Sequence, residues 1–152
     1  MNKRDLFKSI IDKSITQIEI PNGVKKIGTY LFYNCLDLTE VIIPDSALSI
    51  EKNVFTLCYS LQNIVIGSNV SNIADGAFVG NSISNTLKSL TFKQPSGMVV
   101  NLPTPGDGTG MLYSKTANQM TIYTDNETIK NYDYATDNIT ATILHLDGSA
   151  WN

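Results

Sequence analysis

The chain says one phrase three times. ITQIEIPNGVKKIGTYLFYNCLD runs from Ile15 to Asp37, LTEVIIPDSALSIEKNVFTLCYS from Leu38 to Ser60, and LQNIVIGSNVSNIADGAFVGNS begins at Leu61. The openers Ile15, Leu38 and Leu61 stand 23 residues apart each time. A fixed period of this length is the mark of a solenoid, in which each copy is one coil stacked on the next.

The copies match position by position. Ile18, Val41 and Ile64 share a position, and so do Ile20, Ile43 and Ile66. Two residues apart, these pairs point to one face of a short strand. Pro21, Pro44 and Gly67 then end the strand, because proline has no N–H to donate and glycine bends cheaply. Three apolar columns follow: Val24, Ala47 and Val70; Ile27, Ile50 and Ile73; Phe32, Phe55 and Phe78. The copies close on Cys35, Cys58 and Asn81. No copy buries its apolar face alone, so equivalent residues are expected to stack as columns and the strands to pair in parallel.

The pattern LxxLxIPxxVxxIxxxxFxxC, with its Phe32/Cys35 and Phe55/Cys58 pairs, resembles the BspA-like leucine-rich repeat of bacteria and protists. The resemblance covers Ile15 to about Phe92. Gly67 for proline and Asn81 for cysteine are departures that keep the turn. The resemblance implies a leucine-rich-repeat solenoid of the α/β class, with short parallel strands in about four to five coils. It also implies a strand face used for binding, and a role in adhesion.

The rest of the chain is read around that stack. Met1 to Lys13 has Leu6, Phe7, Ile10 and Ile11 on one side and charges around the rest, which predicts an amphipathic helix with Asn2 as its cap. It is expected to close the open end of the first coil. After Asn81 the phase slips, and Leu87, Leu90 and Phe92 restore the strand pattern. Then the repeat stops. Pro95, Gly97, Pro103, Pro105, Gly106, Gly108 and Gly110 mark a long loop, with Met98 to Leu102 as a short edge strand inside it. Met120 to Thr124 alternates as a strand. Thr124 and Glu127 stand at capping-box spacing, predicting a helix from Asp125. Ile139 to Leu146 alternates as a last strand, ended by Asp147-Gly148. This strand-helix-strand unit resembles the segment that closes such repeats, with Tyr113, Tyr123, Tyr132, Tyr134 and Trp151 as interface or plug. The organisation is thus a helical cap over 1–14, repeats over 15–94, a Gly/Pro-rich loop over 95–118 and a closing segment over 119–152, in one domain of 152 residues.

Strand alternation puts Gln17, Glu19, Glu40, Ile42, Asn63, Val65, Ser89 and Thr91 outward. These are the candidate binding residues, because the resemblance makes this face the usual contact surface. Glu19 and Glu40 are read as sharing one outward column. Catalysis finds no support. His145 is the lone histidine and has no nucleophile motif beside it. A gently curved stack also offers no cleft for two flanking carboxylates.

GDGTG at Gly106–Gly110 lacks the Lys-Ser/Thr ending of a phosphate loop, and Asp107 alone makes no calcium loop. No cofactor and no metal are expected. Cys35 and Cys58 share a column and read as buried thiols. Net charge is −3, which gives no basic field for nucleic acid. No stretch is apolar enough to insert in a membrane. Lys8 and Asp12 interrupt the early apolar run, so no secretory leader is expected. Sequons at Asn69, Asn126 and Asn138 matter only where glycosylation occurs.

The reading is a non-catalytic recognition module that takes a protein or glycan partner. One alternative is a structural or receptor-binding component of a particle such as a phage tail, assembling or self-associating through the aromatic C-terminal end. An unrecognised enzyme is the second alternative. The sequence leaves compartment and ligand open.

Overall fold

A computed structural model describes residues 14–78, 86–105, 110–112, 118–137 and 139–151. The expected helix over Met1 to Lys13 lies outside these residues, as do Asn81, Asp107, Tyr113 and Asn138.

The chain is a parallel-strand solenoid. Its main sheet has six strands, ordered as in the sequence: β1 (Gln17–Glu19), β3 (Glu40–Ile42), β5 (Asn63–Ile66), β7 (Ser89–Phe92), β8 (Asn118–Thr124) and β9 (Ile139–Leu144). Every neighbouring pair is parallel. A second sheet of three two-residue strands runs alongside: β2 (Lys26–Ile27), β4 (Ser49–Ile50) and β6 (Asn72–Ile73). The one helix among the described residues, α1, spans only Glu127–Lys130.

The expected columns are present. Ile18, Val41, Ile64, Leu90, Ile122 and Ile143 pair in register along the inner side of the main sheet. Phe32 stacks on Phe55 at 5.4 Å between ring centroids, and Phe55 on Phe78 at 6.1 Å. All three rings are buried. Cys35 and Cys58 are buried, free thiols, and the Cys58 Sγ donates to the Phe32 carbonyl oxygen at 3.0 Å. Identical residues on successive coils bury one another, which is how short coils share one core.

Backbone bonds at the corners hold the coils in phase. The Phe32 N–H donates to the Val54 carbonyl at 3.0 Å, and the Phe78 N–H donates to the Met111 carbonyl at 3.0 Å. By that bond Met111 takes the place of Ala77, and Leu112 the place of Phe78, one coil further on; both are buried. Asn101 likewise bridges Asn72 and prolongs the second sheet by one residue. The sequence period ends near Phe92, but the coil register does not. The stretch with extra prolines and glycines touches the stack at Asn101 and again at Gly110–Leu112.

One corner imposes a backbone constraint that different coils meet with different residues. Tyr30, Asn53 and Gly76 are equivalent and have φ of 58°, 56° and 63°. Asn34 and Leu57 form a second left-handed pair, at 60° and 63°. Gly67 answers to a different need. An added Cβ there would land on the Pro44 carbonyl, so the third copy has glycine because the chain passes against the turn below. Gly110 is confined in the same way by the Asp137 carboxylate.

Buried amides tie the later coils together. Gln94 and Asn126 each lie two residues past a paired strand position, Phe92 and Thr124. Gln94 Nε2 donates to the carbonyls of Gly67 and Val70 at 3.2 and 3.0 Å. Asn126 Nδ2 donates to those of Pro95 and Met98, both at 2.8 Å. Each amide thus reads both ends of the turn in the coil before it. Asn126 is also the N-cap of α1, its Oδ1 accepting from the Thr128 and Ile129 N–H groups. The expected capping box at Thr124 is therefore displaced by two residues. The Thr124 hydroxyl instead accepts from the Asn126 N–H at 3.0 Å, and the helix starts later than Asp125.

The expected strand-helix-strand order is present, and both strands join the main sheet. Tyr132 and Tyr134 pack edge to face at 5.1 Å beneath them. The Tyr132 hydroxyl donates to buried Asp137 at 2.6 Å and accepts from the Met111 N–H at 3.1 Å. The Tyr134 hydroxyl donates to the Ile129 carbonyl at 2.8 Å. Burial is the main cause that pushes both phenols well above the ordinary tyrosine range. The Asp137 hydrogen bond adds to the shift at Tyr132, and the proximity of Tyr132 adds to it at Tyr134.

The neutral phenol is the form that folding favours. Their contribution to stability is therefore complete below the unfolded pKa of about 10 and is lost as pH rises beyond it. Urea midpoints are expected to fall steeply above that pH, and less steeply in Tyr134→Phe.

Candidate functional site

The site is the outward side of the main sheet. In β1, β3, β5 and β7 every second side chain enters the core, so the residues between them face out. The parallel pairing arranges the eight candidates in two rows. Gln17, Glu40, Asn63 and Ser89 pair in register as one row; Glu19, Ile42, Val65 and Thr91 pair as the other. Gln17 and Glu19 are exposed, and the other six are half-buried.

The register corrects one expectation. Glu19 pairs with Ile42 and Glu40 with Gln17, so the two acids stand diagonally. The 23-residue step carries position 17 to 40 and 19 to 42, which puts the acids in different rows.

The first row is polar along its length. The Ser89 hydroxyl donates to Asn63 Oδ1 at 2.8 Å, linking neighbouring coils across the face. The second row has an acid at one end and aliphatic residues in the middle. Glu19 and Ile42 also line a cleft of about 250 Å³ at the strand ends, with Asn22, Pro44, Asp45 and Lys93. The Ser68 N–H, 2.8 Å from Asp45 Oδ1, holds that carboxyl below the usual carboxylate range, and the Lys93 charge contributes in the same direction. The cleft therefore carries ionised acid at neutral pH.

Two strands enlarge the face beyond the sequence reading. Thr121 and Thr142 continue the polar row, and Tyr123 and Leu144 continue the other. The alternation in Met120–Thr124 and in Ile139–Leu146 was the available signal for them. The long insertion before them hid their membership of the same sheet.

A family model described as the BspA type leucine rich repeat region, in six copies, matches residues 4–97. That span is more than half of the chain. The chain belongs to the BspA-type leucine-rich repeat family. No curated protein and no solved structure matches it.

In this BspA-type chain the other candidate groups fall away from the face. His145 lies one residue past β9, with its Nδ1 2.8 Å from Asp125 Oδ1 and its ring stacked on Trp151 at 4.0 Å. Lys130 Nζ sits 4.1 Å from the centre of the same indole. These contacts fasten the last turn to α1. Asn126 is buried, so its sequon is closed to a glycan. Gly106 to Thr109 of the glycine motif lie outside the described residues. Among the described residues no group of three or more His, Cys, Asp or Glu is placed to hold a metal. Among them, too, no helix is long and apolar enough to cross a membrane. The repeats present a surface with paired rows, suited to recognition, which is what a BspA-type repeat module supplies.

Proposed function

We propose that this BspA-type module recognises a protein partner, in an adhesive role, through the outward face of its main sheet, and that it is non-catalytic. The observation that carries this reading is the registered pairing of Gln17, Glu40, Asn63 and Ser89 beside Glu19, Ile42, Val65 and Thr91. Eight side chains from four separate copies form one continuous patch. A half-buried aliphatic centre with a polar border has the composition of a recognition surface. Ile42 and Val65 supply the apolar centre, and the polar row supplies register through hydrogen bonds.

The test is a pull-down of binding partners with the wild-type chain and with the double variant Glu40→Lys, Asn63→Lys. The expected result is a partner whose capture falls at least about tenfold in the double variant, as is typical when charge is introduced at the centre of an interface. Asn72→Lys, on the second sheet, is expected to leave capture intact. Undiminished capture by the double variant would remove this face from the proposal.

A further inference from the structure

A second surface lies on another side of the coils, between β2 and β3 and in the matching stretch of the next coil. In each of the first three coils one corner residue is left-handed. Coils two and three place Asn53 and Gly76 there, the residue types that adopt this conformation at least cost. Coil one has Tyr30 there instead, at φ 58°. A bulky side chain in this conformation is strained, and burial does not offset the strain, because Tyr30 is 51% exposed.

Its neighbours are also out in solvent. Tyr33 and Leu36 are 45% and 43% exposed, and the two tyrosine rings meet edge to face at 5.8 Å and 89°. Exposed aromatic groups held by a strained backbone are expected at ligand sites rather than in packing.

The chemistry of the patch narrows what it would take. Residues 28–36 and 53–60 contain no charged side chain. They offer hydroxyls and an amide beside the rings. Asn53 Nδ2 donates to the Tyr30 hydroxyl at 3.2 Å, so that hydroxyl accepts within the protein and keeps its own proton for a ligand. A platform whose own residues carry no charge, with apolar ring faces beside hydroxyl and amide groups, matches a neutral saccharide, which presents both C–H faces and hydroxyls. We infer that the Tyr30–Tyr33 corner is a carbohydrate-binding site for neutral sugars, separate from the sheet face.

The test is retention on an array of neutral oligosaccharides, namely gluco-, galacto-, manno- and N-acetylglucosamine oligomers. Proline-rich peptides are printed alongside them. The expected result is binding to at least one sugar class, lowered tenfold or more in Tyr30→Gly and in Tyr33→Ala. Tyr30→Gly should keep or raise the melting temperature, since glycine relieves the strain at that corner. Loss of binding with gain of stability is a combination that a purely structural tyrosine would not give. Glu40→Lys, Asn63→Lys should leave sugar binding intact, which separates this site from the sheet face.

The inference is overturned if no sugar is retained, or if both tyrosine variants bind as well as wild type. It is also overturned if Tyr30→Gly lowers the melting temperature, or if only the proline-rich peptides bind in a tyrosine-dependent way.

Discussion

Replacing Phe55 by alanine is expected to lower the unfolding free energy by about 4 kcal/mol, the usual loss for a fully buried phenylalanine. Phe55 is 1% exposed and stands between two stacked rings. Removing it empties the middle of a column, so contacts above and below are lost together. Urea unfolding followed by circular dichroism measures this directly. The melting temperature should drop by roughly 10 °C for a chain of this size. Phe55→Leu keeps most of the volume and should cost much less, about 1 kcal/mol. Phe78, at the more exposed end of the column at 7%, should tolerate alanine better than Phe55 does. Equal costs at the two positions would contradict a column whose centre is its most confined point.

The second large effect is expected at Asn126. This buried amide accepts from two N–H groups of α1 and donates to the Pro95 and Met98 carbonyls. Asn126→Ala removes a helix cap, about 1 kcal/mol, and leaves the Met98 carbonyl unpaired, about 1 kcal/mol, while the Pro95 carbonyl still accepts from the Met98 N–H. A total of about 2 kcal/mol is expected from the urea midpoint. Asn126→Asp separates the two roles. Aspartate is a good cap, so a residue that only capped α1 would tolerate it. A residue that also bridges to the turn of the preceding coil would not, because a carboxylate would face two carbonyl oxygens. Asn126→Asp is therefore expected to cost at least as much as Asn126→Ala at neutral pH. Near-wild-type stability of Asn126→Asp would reduce the residue to a cap.

The reading from sequence succeeded where one residue type repeated at one step. Phe32, Phe55 and Phe78 kept phase, and their column followed from that alone. The outward positions were legible for the same reason, because period-two alternation is fixed once the inner pair Ile18 and Ile20 is known. The register of the acids was misread, although the same 23-residue step contains it.

Two features lay beyond pattern reading. The coils after Phe92 keep their backbone register without keeping their residues: Met111 and Leu112 occupy places held earlier by Ala77 and Phe78. Main-chain hydrogen bonding holds that register, and main-chain bonding leaves little imprint on composition. The cap at Asn126 was missed because Thr124 and Glu127 satisfied a local rule. The winning residue was selected by a partner turn about thirty positions earlier, where a local rule does not reach.

Gly67 shows the same limit in a smaller way. From sequence it is a substitute turn residue. In the folded chain the Pro44 carbonyl leaves no room for a Cβ, so the coil below chooses the residue above. Stacking makes each coil part of its neighbour's environment, and the sheet face that the module offers inherits its order from that stacking.

The most direct measurement of that order is amide hydrogen exchange, resolved residue by residue by NMR. One parallel sheet runs unbroken from β1 to β9 and presents a single face. The core-facing residues Val41, Ile64, Leu90 and Ile122 pair in register across it. If the sheet is continuous, protection across β8 should be comparable with that across β3 and β5. Strong protection in β3 and β5 with free exchange throughout β8 would show that the face ends at the fourth strand, and the account given for the enlarged surface would be wrong.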